Sequence, residues 1–178
     1  MKEHFVITVG REYGSGGREI AKLVAQKLNV PFYDKELLTL AAQKSGICQE
    51  IFEHNDEKTT VSDMLPVTAG TGFGAGVGLG LQMPMNQRVF LAQFEVITNL
   101  AKEQSCVIVG RCADYVLRDM DHVTHIFLYA SLEKRVERIM RVENVDADKA
   151  RELIRKTDKQ RKSYYNFFAD GNWGVRSN

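Results

Sequence analysis

Three observations predict an α/β protein built on a small parallel sheet. Short apolar, β-branched runs alternate with stretches of helical periodicity. Four such strand candidates are each followed by a helix or by a loop and a helix, and parallel strands require connections of that kind. A cluster of glycines, Gly10, Gly14, Gly16 and Gly17, stands directly after the first strand. The alternation makes a sheet layered with helices the natural architecture.

The first strand is "HFVITVG". Beyond the glycines, Ile20, Leu23, Val24 and Leu28 recur at helical spacing with Ala21 and Ala25 between them. That helix stops at Asn29 and Val30, because Pro31 disfavours a helical conformation in the residue before it. "VPFYD" reads as a second strand. Asp34 is placed to cap a helix through Leu37, Leu38, Leu40 and Ala41, and Gly46 allows a left-handed end after Ser45. From Ile51 to Pro84 the pattern weakens, and glycine occupies every even position from Gly70 to Gly80. A run of this kind loses too much backbone entropy to form a sheet interior. It reads as a mobile loop around residues 69–80, with closure over a substrate as the sharper alternative. Order returns at Gln87 with a helix carrying Val89, Phe90, Phe94, Ile97 and Leu100, then the strands "CVIVG" and "HIFLYA". Ser131 opens a helix bearing Leu132, Val136 and Ile139, with Arg135, Arg138 and Arg141 on a neighbouring face. Asp146 caps a last helix over residues 147–168.

With 178 residues, 44% hydrophobic and 26% charged, one domain over residues 1–178 is expected. Lys+Arg 24 against Asp+Glu 23 leaves a net charge of +1, so no global field draws the chain to nucleic acid, and any cationic site is local. Cys48, Cys106 and Cys112 show no CxxC spacing and are odd in number, which fits reduced thiols. The apolar runs are strand-sized and no charged-then-apolar leader is seen, so a soluble, cytoplasmic protein without a membrane span is expected.

Phosphates bind where unpaired backbone N–H groups and a helix dipole both favour negative charge, and glycines permit the backbone shape. "GREYGSGGRE" lies between strand and helix as such a loop requires, yet the lysine of the GxxxxGKS/T pattern is missing and Gly17 stands in its place. A structural turn and a dinucleotide site are the competing readings. Gly14, Gly16 and Asp34 mimic part of the dinucleotide pattern, but Glu19 stands at its third glycine. In "VIVGRCADYVL" a second strand-end glycine precedes Arg111, which can present a planar fork to a phosphate or simply lie on the surface. Arg135, Arg138 and Arg141 could close on phosphates, although Glu133 and Glu137 also suit a solvated face. His122 and His125 lack the partners of a zinc site.

Taken together, "ITVGREYGSGGREIA", "FYDKELL", "VIVGRCADYVL", "THIFLYASLEKRVERIM" and "TDKQRKSYY" resemble, in order and over nearly the whole chain, the cytidylate kinase-like branch of the P-loop nucleoside monophosphate kinases. The resemblance implies a three-layer P-loop kinase-type fold and transfer of the ATP γ-phosphoryl group to CMP or dCMP with Mg²⁺. By position, it implies that Gly14, Ser15, Gly16, Gly17, Arg18 and Glu19 hold the ATP phosphates. On the acceptor side it implies Asp34, Arg88, Arg111, Asp158 and Arg161, the acid of the DxxR pair reading sugar or base and the arginine the phosphate. Arg135 and Arg138 match lid arginines, in a lid around residues 131–146, and with Arg18 would neutralise the transferring group.

The chain departs from the family pattern in three places. Arg18 is offset by one from the lysine position. Glu19 stands where a hydroxyl would ligate Mg²⁺. Cys112 replaces the aspartate expected after Arg111. The pattern also expects a fifth strand and a final helix where the chain ends after "NWGVRSN"; either the sequence is shortened or the sheet edge is completed otherwise. Two further functions stay open: a nucleotide-binding regulatory protein that has lost turnover, and a kinase for another small phosphoacceptor, suggested by Cys112.

Overall fold

The structure is a computed structural model and describes residues 4–55, 57, 84–169 and 171–174. The glycine-rich run at residues 69–80 lies outside the described residues. Four parallel strands, β1 (Val6–Arg11), β2 (Phe32–Tyr33), β3 (Cys106–Val109) and β4 (Val123–Leu128), form one sheet in the order β2-β3-β1-β4. Seven helices are described: α1 (Gly17–Leu28), α2 (Glu36–Ser45), α3 (Gln49–Asn55), α4 (Met85–Glu103), α5 (Ala113–Val116), α6 (Leu132–Glu143) and α7 (Ala147–Phe168).

All four residues of β3 are fully buried, as befits a central parallel strand covered on both faces. Their side chains alternate. Cys106 and Ile108 join the large core formed with α2, α4, α5 and α7, while Val107 and Val109 join the smaller core under α1. The same alternation along β1 sends Val6 to the first core and Val9 to the second. β4 is an edge strand, mostly exposed or half-buried.

Helix α1 forms where periodicity predicts, but it buries its small face. Gly17, Ala21 and Ala25 lie against the sheet, whereas Ile20, Leu23 and Leu28 are exposed, because small residues let the helix approach β1 and β3 closely. It ends at Asn29 in the left-handed conformation, with the Val30 N–H returning to the Ala25 carbonyl at 3.0 Å. The expected cap at Asp34 is not formed. Lys35 is the cap residue of α2 and offers no side-chain bond, and the Asp34 carboxylate is taken by two arginines instead. Helix α3, within the weakly patterned region, is held by the fully buried Phe52. At α7 the Asp146 carboxylate accepts from the Lys149 N–H at 2.8 Å, as expected. Among the described residues no helix is long and apolar enough to cross a membrane.

Candidate phosphate loop and acceptor cavity

Between the end of β1 and the start of α1 the chain turns through residues 12–16. Gly14 (φ 81°) and Gly16 (φ 82°) are left-handed, a conformation that costs glycine little. The Ser15 hydroxyl donates to the Glu12 carbonyl at 2.8 Å and accepts from the Gly17 N–H at 3.3 Å, which stiffens the turn. Gly16 caps α1 without any side-chain bond, so the loop leads into a helix start suited to an anion.

Helix α6 packs directly on this loop. A Cβ at Gly14 would lie 3.0 Å from the Arg135 carbonyl oxygen, and one at Gly16 would lie 3.1 Å from Cζ of Arg138. The guanidinium set against Gly16 is therefore that of Arg138, which also pairs with Glu19. Arg18 has its Nε 2.6 Å from Asp34 Oδ2 and a side chain that is 59% exposed. One residue beyond Gly17, it leaves α1 toward the end of β2.

The position where the loop pattern places lysine is closed for a steric reason. A Cβ at Gly17 would stand 2.6 Å from the Cβ of Arg11, whose side chain passes under the loop toward Gly110. A side chain at Gly110 would collide with the Arg11 guanidinium and come within 2.5 Å of Glu57 Oε1. Two glycines thus make the channel that holds Arg11.

Arg135 is buried and ties the loop to its supports. Its Nε donates to the Tyr13 carbonyl at 2.7 Å, and its other nitrogens pair with Glu12 at 3.1 Å and with Asp158. The second Asp158 oxygen accepts from the Tyr13 N–H at 2.8 Å. Arg135 and Asp158 thus join α6 and α7 to the loop, whereas the resemblance assigns them to the transferring group and to sugar or base. Burial, then the hydrogen bond to Glu143, pushes the Tyr13 phenol up to about 12.

On the other side of β1 lies a cavity of about 350 Å³. One end is cationic, with Arg11, Arg111 and Arg161, and the other carries Phe127 and Trp173, whose rings meet edge to face at 5.3 Å. Arg111 is buried, bonds the Val109 carbonyl at 3.1 Å and pairs with Asp34. Burial alone would raise the Asp34 carboxyl, but the Arg111 charge and hydrogen bonds from Arg18 and Arg111 hold it below its ordinary range. Arg11 and Arg161 converge on Glu57, with Nη1 of Arg11 at 2.8 Å from Oε1 and Nε of Arg161 at 3.1 Å from Oε2. Burial opposes the charge on Glu57, yet the three arginines keep it well below the usual carboxylate range.

Gly110, Arg111 and Cys112 have φ of 72°, 51° and 54° in succession, a left-handed run rare for the two non-glycine residues. Cys112 is buried in the cavity wall, and burial, then the nearby Asp114 charge, raises its thiol. Arg88 is exposed in the first turn of α4, and among the described residues no contact joins it to this cluster. His125 is hydrogen-bonded to Thr8 at 2.8 Å, and among the described residues no group of three or more metal-binding side chains is found. Sequence reasoning missed Arg11 and Glu57. Arg11 was legible only as the first charge after a strand, and Glu57 falls in a stretch without periodicity.

No curated protein matches the chain at a significant level. A crystal structure of an uncharacterized protein from Eubacterium ventriosum ATCC 27560 is similar, with 29% sequence identity and a TM-score of 0.67, over 97% of this chain and 82% of that one. The model of the cytidylate kinase-like family matches residues 6–178. The ordered strand, loop and helix that carry the site fall inside that match, and the chain belongs to the cytidylate kinase-like family.

Proposed function

We propose that the protein transfers the γ-phosphoryl group of ATP to a nucleoside monophosphate, with CMP or dCMP as the first candidates. The observation that carries this reading is the pairing of two cationic sites across the end of β1. Arg138 lies against the glycine loop on one side, and Arg11, Arg111 and Arg161 gather at the end of a cavity on the other. The loop suits the ATP phosphates, and the arginine end of the cavity suits the acceptor phosphate, with the Phe127 and Trp173 end suited to a planar base.

Transfer needs position and charge more than covalent help from the protein. An oxygen of the acceptor phosphate attacks the γ-phosphorus in line while the bond to the β,γ-bridging oxygen breaks, and ADP leaves. Arg138 is placed to supply the charge that the loop lacks, since its exposed pair with Glu19 is of a weak kind and readily exchanged for a phosphate. Arg135 acts as a positioning residue through Tyr13 and Glu12.

Mg²⁺, which neutralises β- and γ-phosphate oxygens when bound, takes one or two carboxylates and retained waters. Glu19, with a side chain 67% exposed at the loop end of α1, fits that need once Arg138 has turned to the nucleotide. The other carboxylates beside the loop, Glu12 and Asp158 of α7, are held by Arg135.

A coupled ADP-release assay with Mg²⁺-ATP and CMP, dCMP, UMP, AMP and GMP tests the reading. Release that depends on CMP or dCMP is expected, and release independent of every monophosphate contradicts it. The regulatory reading is favoured by one feature, the internal use of Arg135 and Asp158, and it calls for ATP to raise the melting temperature without release of ADP.

A further inference from the structure

We propose that Glu57 is a built-in competitor for the acceptor phosphate, filling an anion seat walled by Arg11 and Arg161, so that only a doubly charged phosphomonoester displaces it efficiently. The inference rests on reading the cavity as the acceptor side. Neither Arg11 nor Glu57 belongs to the residues implied by the family pattern, yet both are built into the fold. Arg11 is fixed by the Gly17 and Gly110 channel, and its side chain is only 10% exposed. Glu57 reaches it from a left-handed backbone (φ 50°), uncommon for a residue with a side chain.

The carboxylate imitates a phosphate in its contacts. Each of its oxygens takes one guanidinium, and the Arg111 N–H stands 3.5 Å from Oε1. Guanidinium forks pair with carboxylate and phosphate alike. The charge balance then decides. Arg111 is paired with Asp34, and Asp158, the nearby carboxylate on α7, is held by Arg135 and the Tyr13 N–H. In direct contact, Arg11 and Arg161 share the single charge of Glu57, with Asp114 on the cavity wall bonded to Tyr165, and a phosphomonoester dianion replaces that one charge with two. A singly charged ester gains nothing over Glu57 in charge and must still displace it. Apparent affinity falls by the fraction of molecules whose seat is open, so the competitor weakens all ligands by one factor, and only the stronger pairing of a dianion with the two guanidiniums overcomes it efficiently.

The test uses the whole chain, without ATP, in calorimetric titrations at pH 8 with ribose 5-phosphate and its methyl phosphodiester. The parent protein is expected to bind the monoester at least about tenfold tighter than the diester, given the usual strength of charge-assisted bonds. Glu57→Gln is expected to tighten both by a similar factor of at least about threefold and to keep the gap, and Arg11→Met to weaken both by about tenfold. Unchanged affinities in Glu57→Gln overturn the proposal, and so does a parent protein that binds the diester as tightly as the monoester. Should that variant fail to fold, the Arg161 Nε–H resonance of the parent protein replaces it. Saturating ribose 5-phosphate should shift that resonance as its bond to Glu57 is exchanged, and no shift overturns the proposal. Failure of the kinase reading looks different: the ribose phosphate pattern persists while no monophosphate elicits ADP. CMP-dependent ADP release with flat Glu57→Gln affinities removes the competitor alone.

Discussion

At the scale of single residues, the missing loop lysine has a steric explanation that makes a sharp prediction. Gly17→Lys restores the sequence pattern but drives a Cβ to within 2.6 Å of Arg11. Overpacking of this kind costs about 1–3 kcal/mol, so the variant should melt lower and gain no turnover. A Gly17→Lys protein with parental stability and higher kcat would refute the channel. Acid stability follows from the same cluster. Glu57 and Asp34 have folded-state pKa values below their ordinary 4.5 and 3.8. Their contribution is complete above those ordinary values and is lost as pH falls toward the depressed ones. Urea midpoints should therefore drop steadily below about pH 4.5, and Glu57→Gln should start lower at neutral pH and fall less steeply. Equal slopes for both proteins would separate Glu57 from the acid response. Gly14, Ser15 and Gly16 were readable from the sequence because their conformation is local. The Arg11 and Glu57 pair was not, since it joins residues 46 apart in sequence through a burial that no local pattern signals.

Among the elements, α6 and α7 carry the loop. Ile139 packs with Val136, Ala150, Ile154 and Tyr13, and its Cγ1 would lie 3.1 Å from a Cβ at Gly14. Ile139→Ala should cost about 2–4 kcal/mol in chemical denaturation and loosen the loop, visible as faster hydrogen exchange at Tyr13 and Gly14. Capping separates the two helices further. Asp146→Ala should cost about 1 kcal/mol because it removes a bond to the Lys149 N–H, whereas Ser131 makes no cap bond with its side chain, and its alanine variant should stay within about 0.5 kcal/mol of the parent. Periodicity made both helices legible, and the Asp146 cap was legible too. The arginine row on α6 was not. A solvated face and a phosphate clamp have the same spacing, and only packing against the loop separates buried Arg135 from Arg138 at its edge and exposed Arg141.

For the whole molecule, the parallel sheet places every strand end on one edge, where β1 feeds the loop and β3 feeds Arg111. That arrangement was visible in the order of strand and helix signals, because parallel strands leave few other ways to connect. The division of labour among the arginines was not visible, since Arg18 and Arg138 compete for one role across 120 residues of chain. Under the proposed function the transferring charge falls to Arg138. Arg138→Ala should lower kcat by about tenfold to a thousandfold, or 1.4–4 kcal/mol of transition-state stabilisation, while Arg18→Ala acts chiefly through Asp34 and Arg111 on the KM of the acceptor. The most direct measurement is the identity of the product, followed by ³¹P NMR after mixing the protein with Mg²⁺-ATP and CMP. CDP and ADP are expected to appear in equal amounts as ATP and CMP disappear. ADP with inorganic phosphate and unchanged CMP, or bound nucleotide with no new phosphorus signal, would contradict the proposed function.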